Sequence, residues 1–202
     1  MIQELISQTP YFAEGFGGNL LMSVLAMSAG TLIGGILGCV RAGYGGLIAL
    51  LAGFSTSICR NVPSFVLLFY MAFMIPNQIT WSGEIVEVPV WFKATVALTF
   101  PVIGFASDQT VAFFGQYRDR VQRAGETFIV AWVQYLLIIL MASAVASVIG
   151  ADEIVGRANA YVARSNDPQF LLVTYGYVSI WFLGSGLLVT ALMRGLLWAR
   201  RR

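Results

Sequence analysis

Two charged residues lie deep in apolar sequence, and any chemistry in this chain starts with them. Arg60 sits in FSTSICRNVP, beside Ser55, Thr56, Ser57 and Asn61; Asp108 sits in FASDQT, beside Ser107, Gln109 and Thr110. A charge at membrane depth faces a bundle interior or a wet cavity and is a functional candidate by default. Ser57, Arg60, Asn61, Ser107, Asp108 and Gln109 are therefore candidates for a polar pathway or a substrate contact. Two simpler readings stay open: an Arg60–Asp108 ion pair, or Arg60 extending along its stem to the interface. No catalytic constellation accompanies them. The chain has no histidine, no nucleophile–base pair and no cluster with metal-ligand spacing. Gly43–Gly46 is not followed by the lysine and hydroxyl of a phosphate loop. The sequence reads as neither an enzyme nor a metalloprotein. Gln134, Ser143 and Ser147 read as interhelical hydrogen bonds.

The elements that must position these residues follow from composition. Of 202 residues 58% are hydrophobic and 11% charged, with a mean hydropathy of +0.77. A soluble domain carries about 25% charge, and disorder needs low hydrophobicity, so both classes are excluded. A net charge of +2 is too small to suggest nucleic-acid binding. The prediction is an all-α integral membrane protein, a single domain over 1–202 with five transmembrane helices. They cover about 19–40, 47–75, 90–114, 127–149 and 170–198. The second is too long for one straight span and is predicted to kink at 61–63, where Asn61 and Pro63 stand. Residues 76–89 form a polar outer loop. Residues 151–169 form another, with a surface helix whose apolar face is Ile154, Ala158, Tyr161 and Val162, ended by Asn166-Asp167-Pro168.

Arginine placement sets the orientation. Arg41, then Arg118, Arg120 and Arg123, then Arg194 and Arg200–Arg202 fall on one side; Lys93, Arg157 and Arg164 are balanced by acids on the other. The N-terminus is predicted outside and the C-terminus in the cytoplasm, with Trp81, Trp91 and Trp198 at the interfaces. Residues 1–16 hold Glu4 and Glu14 and no basic segment, so no cleavable signal peptide is expected. Ala26, Gly30, Gly34 and Gly38 recur every four residues. That spacing lets two helix backbones approach closely, most simply within the chain.

Three features resemble the membrane permease subunits of ABC importers for polar amino acids. Residues 60–76, RNVPSFVLLFYMAFMIP, are similar to the family's Arg-Gly-Thr-Pro segment and its apolar continuation. Residues 146–153, ASVIGADE, are similar to its Ala-Ser-Val-Ile-Gly-x-x-Glu segment. The third is the order of a glycine-rich first helix, five spans and a basic tail. The resemblance implies a bacterial inner-membrane subunit. Its implied partners are a second permease subunit, a cytoplasmic ATPase dimer that binds the ATP, and an extracytoplasmic solute-binding protein. It also implies an ATPase-facing turn at Arg118, Arg120, Arg123, Ala124 and Gly125. Departures mark the same regions. Ser57, Val111 and Met141 stand where the family has charged residues, and YRDRVQRAGETF is shorter than the family's coupling loop by roughly 20 residues, about five helical turns. These losses leave a second function open: a permease-derived structural subunit of another membrane assembly.

Overall fold

The computed structural model describes residues 2–81, 83–164 and 168–199. The first helices are α1 (Ile2–Ser7), α2 (Thr9–Gly43), α3 (Gly46–Asn61) and α4 (Ser64–Met74). A hairpin of β1 (Gln78–Trp81) and β2 (Glu84–Glu87) follows. Then come α5 (Val90–Arg118), α6 (Ala124–Ser143), a 3-10 segment (Ala144–Ile149), α7 (Ile154–Val162) and α8 (Pro168–Ala199). Helices α2, α5, α6 with its 3-10 extension, and α8 are each long and apolar enough to cross a membrane. The α3–α4 pair, bent by 93°, is apolar and long enough only when taken together, and counted as one broken span it makes five. The protein is thus an all-α, multi-pass membrane protein.

The bend has a local cause. A proline disfavours the helical region for the residue before it, and Val62 is extended at φ −77°, ψ 122°. Pro63 then opens α4 at φ −60°, where its missing N–H is one of the orphan donors in any case.

At the centre, α2 packs along α5 with both chains running the same way. The small-residue stripe lies in this contact. A Cβ at Gly30 would stand 2.5 Å from Val102 Cβ, one at Gly34 2.4 Å from the Ile103 carbonyl oxygen, and one at Gly38 2.5 Å from Thr110 Cβ. Met22, Ala26, Leu98 and Val102 are buried around this seam, with Leu68 of α4 and Ile139 of α6. Pro101 lies inside α5, and its carbonyl accepts from Tyr135 Oη at 3.1 Å.

The bundle has two unlike ends. At one, here the arginine end, α2 and α5 finish together, and Arg41, Arg118, Arg120 and Arg123 gather. Residues 119–123 link α5 to α6. Val121 N donates to Gln116 O and Arg120 N to Tyr117 O, which closes α5 with the two bonds of a Schellman turn. Arg120 holds the left-handed position at φ +54°, where glycine is usual. At the other end are α7, the hairpin, and an aromatic cluster of Phe12, Phe16, Tyr177 and Trp181 joining α2 to α8.

The segment predicted as a polar loop at 76–89 contains this hairpin, paired antiparallel from Gln78↔Glu87 to Trp81↔Glu84. An isolated hairpin is marginal. This one is tied down at its base, where Val88 N donates to Asn77 O at 2.8 Å. Arg200–Arg202 and the Asn166-Asp167 stop lie outside the described residues.

Candidate functional site

The sequence pairs Arg60 with Asp108; the structure adds a second guanidinium. Arg41 Nη1 donates to Asp108 Oδ1 at 2.7 Å, and Arg60 Nη1 to Asp108 Oδ2 at 2.8 Å. Arg41 comes from the last turn of α2, Arg60 from the last turn of α3, and Asp108 from α5. One carboxylate between two guanidinium groups leaves the cluster with a net charge of +1. The same Arg41 Nη1 reaches Ser107 Oγ at 2.9 Å, and Ser107 Oγ contacts Thr56 Oγ1 at 2.9 Å. Three helices are joined through one polar node. Close approach makes it possible: a Cβ at Gly104 would stand 2.8 Å from both N and Cβ of Arg60.

The node has a dry side and an open side. Ser107 and Thr56 are buried and form the closed side of the node. The Arg41 side chain is 24% exposed and that of Arg60 56%. Ser57, Arg60 and Asn61 share one face of α3 at helical spacing. Gln109 follows Asp108 and is half-buried. Ser57, Asn61 and Gln109 make no side-chain hydrogen bond among the described residues. Only Nη1 of Arg60 is engaged, so a guanidinium with five N–H donors keeps most of them for a carboxylate or a dipole. Asp108 lies four residues past the midpoint of α5, about 6 Å along its axis, so the node is displaced from mid-helix toward the arginine end.

Two further buried charges escape sequence reading, which places both among outer charges. Lys93 is 1% exposed, and its Nζ donates to Ile75 O at 2.6 Å and Asn77 Oδ1 at 2.7 Å. A cation at the end of α4 complements that helix's dipole. Glu153 is fully buried and caps α7, accepting from Gly156 N at 2.6 Å and Val155 N at 3.0 Å. Asn19 of α2 donates Nδ2 to Glu153 Oε2 and to Ser143 Oγ, both at 2.9 Å, and accepts from Ile154 N. Burial pushes the Glu153 carboxyl above its ordinary value, although the three hydrogen bonds oppose the shift. Nearby, Arg157 grips Asp152 with Nε and Nη2 at 2.7 and 2.8 Å. It also ties Tyr11 O and Glu14 of α2. The bidentate hydrogen bond holds Asp152 below its ordinary value and raises Arg157. These groups lock α7 onto α2.

The turn at the arginine end differs from the arrangement inferred by resemblance. Arg118 ends α5, and Arg120 and Arg123 are exposed. Ala124 is buried at the start of α6, and Gly125 lines an apolar groove between helices. Ala124 is therefore turned inward, whereas Gly125 is exposed. Only residues 119–123 separate the two helices, too few for a separate docking helix.

No protein-family model matches the chain, and no curated protein matches it at a significant level. Solved structures do. An amino acid ABC transporter crystallised with histidines aligns with a TM-score of 0.76 at 17% identity, over 95% of this chain and 97% of that one. The MetNI methionine ABC transporter, in an inward-facing form, aligns with a TM-score of 0.64 at 15% identity, over 91% and 95%. The chain shares the membrane fold of these two ABC transporter structures.

Proposed function

We propose that the protein is one half of the translocation pathway of an ABC importer for polar amino acids. It would lie in the bacterial inner membrane with its N-terminus outside. The carrying observation is the Arg41–Asp108–Arg60 node, an ionic cluster with an open face set within an importer-type bundle. Arg60, with Ser57 and Asn61 on its open face and Gln109 near the node, would receive the carboxylate and other polar groups of the substrate. Asp108 holds the guanidinium in place. A second permease subunit would supply the facing half, and alternating access would come from the two halves rocking about a site between them. An extracytoplasmic solute-binding protein would deliver the substrate. ATP would be bound by a partner ATPase dimer rather than by this chain. With five residues between α5 and α6, ATPase docking would fall mainly on the partner subunit. Reconstituted complex should take up a polar amino acid in an ATP-dependent way, and Arg60→Gln should weaken uptake.

That short turn favours a second reading: a permease-derived structural subunit in another assembly. Purification of native complex separates the two. A co-purifying ATPase and binding protein support transport, and their absence supports the structural role.

A further inference from the structure

Arg118 closes α5, and Arg120 stands in the turn after it. Neither guanidinium has an ion-pair or hydrogen-bond partner among the described residues. Both line a cleft of about 710 Å³ whose apolar wall is Cys39, Phe114, Tyr117 and Val121, with no acidic residue in it. The cleft adjoins a second cavity of about 450 Å³. The two share Cys39 and Phe114, and the second continues over Thr31, Gly35, Phe113 and Phe128. From Cys39 back to Thr31 is eight residues, roughly 12 Å along α2. One leaflet of hydrocarbon is about 15 Å deep, half of a ~30 Å core. The pair of cavities therefore reads as a charged head followed by an apolar slot nearly one leaflet long.

We propose that this composite site holds an anionic phospholipid, with its phosphate on Arg118 and Arg120 and one acyl chain in the slot over Gly35. Three features select this occupant. The positive charge of the site is confined to one end, complementary to the negative head of an anionic lipid. The slot is too small for a protein helix: a cylinder of ~10 Å diameter and ~12 Å length takes roughly 900 Å³, twice the space available. A free phosphate would use the head and leave the slot unfilled. Arg118 at the end of α5 and Arg120 in the turn after it also stand just past an apolar helix, where juxtamembrane arginines meet lipid phosphates.

The test uses the purified full chain in neutral detergent, with melting followed as lipid is titrated in. Dioleoyl-phosphatidylglycerol should raise the melting temperature in a saturable way, while dioleoyl-phosphatidylcholine and inorganic phosphate should not. The double variant Arg118→Gln/Arg120→Gln should raise the half-saturating phosphatidylglycerol concentration about 30-fold. That corresponds to roughly 1 kcal/mol per guanidinium at tenfold per 1.4 kcal/mol. Both side chains are exposed, so the fold should survive their loss. Gly35→Leu provides a second test, because a Cβ there meets nothing within 4 Å and the side chain would fill the slot. It should weaken phosphatidylglycerol binding without lowering the melting temperature of lipid-free protein. Equal stabilisation by the two lipids, stabilisation by inorganic phosphate alone, or an unchanged midpoint in the arginine double variant would overturn the proposal. Unchanged binding by Gly35→Leu would remove the acyl slot and overturn it equally.

Discussion

Gly34 and Gly35 are neighbours on α2, and alanine should act on them in opposite directions. Inside a helix, alanine is favoured over glycine by about 1 kcal/mol. At Gly35 a Cβ meets nothing within 4 Å, so Gly35→Ala should gain up to about 1 kcal/mol. At Gly34 it would stand 2.4 Å from Ile103 O, 2.8 Å from Ala106 Cβ and 3.0 Å from Ile103 Cα. Two of these are backbone atoms and cannot rotate away, so α2 and α5 must separate. Overpacking costs about 1–3 kcal/mol. The upper end applies because the same separation loosens the contacts at Gly30 and Gly38. Net of propensity, Gly34→Ala should lose about 2 kcal/mol. The difference between the variants is then about 3 kcal/mol, or about 6–12 °C in melting temperature at 2–4 °C per kcal/mol for a chain of this size. Helical circular dichroism of the full chain, melted in one detergent, reads it directly. Gly34→Ala melting at or above wild type would refute the account of the α2–α5 seam.

Other perturbations test the polar network. Arg41→Gln should cost more stability than Arg60→Gln, about 2 kcal/mol against 1 or less, because Arg41 is the less exposed and binds two partners; denaturant or thermal melts rank them. Lys93→Ala removes the donor to Ile75 O and Asn77 Oδ1, leaving two acceptors unmatched at about 1–3 kcal/mol each. The hairpin should then be cut faster in limited proteolysis, while a wild-type cutting rate would show that Lys93 does not anchor it. Glu153 sets a pH dependence. Its carboxyl is raised above the ordinary 4.5, so the folded chain holds that proton more tightly than the unfolded one. Its contribution is most favourable below pH 4.5 and declines as pH rises through the raised value. Glu153→Gln should flatten the melting temperature across that window, and an unchanged slope would assign it to another group.

How much was legible depended on range. Apolar lengths are local, so the crossings could be read, as could Asn61–Pro63 as the place where the second must break. Arg60 and Asp108 were legible because each stands alone in an apolar run. Arg41 was not: it ends an apolar stretch, looks like an orientation charge, and joins Asp108 only through the register of α2 along α5. Lys93 and Glu153 lie at the end opposite the arginines, as their charge pattern reads, but their burial is not legible for the same reason. Their burial depends on Asn77 and Ile75 in one case and on Asn19, more than 100 residues away, in the other. The resemblance places Ala124 and Gly125 in an outer turn; Gly125 is exposed, but Ala124 opens α6 and is buried, because the turn before it is only residues 119–123.

The central claim is that the Arg41–Asp108–Arg60 node serves a transport pathway, and uptake by reconstituted complex carrying Arg60→Gln tests it most directly. Loss of a charge-assisted hydrogen bond to substrate, about 1.5–3 kcal/mol, predicts uptake reduced by about 10- to 100-fold. Melting should fall by no more than about 4 °C, as for an exposed ion pair. Uptake and melting falling together would make the node structural, and wild-type uptake would contradict the account outright.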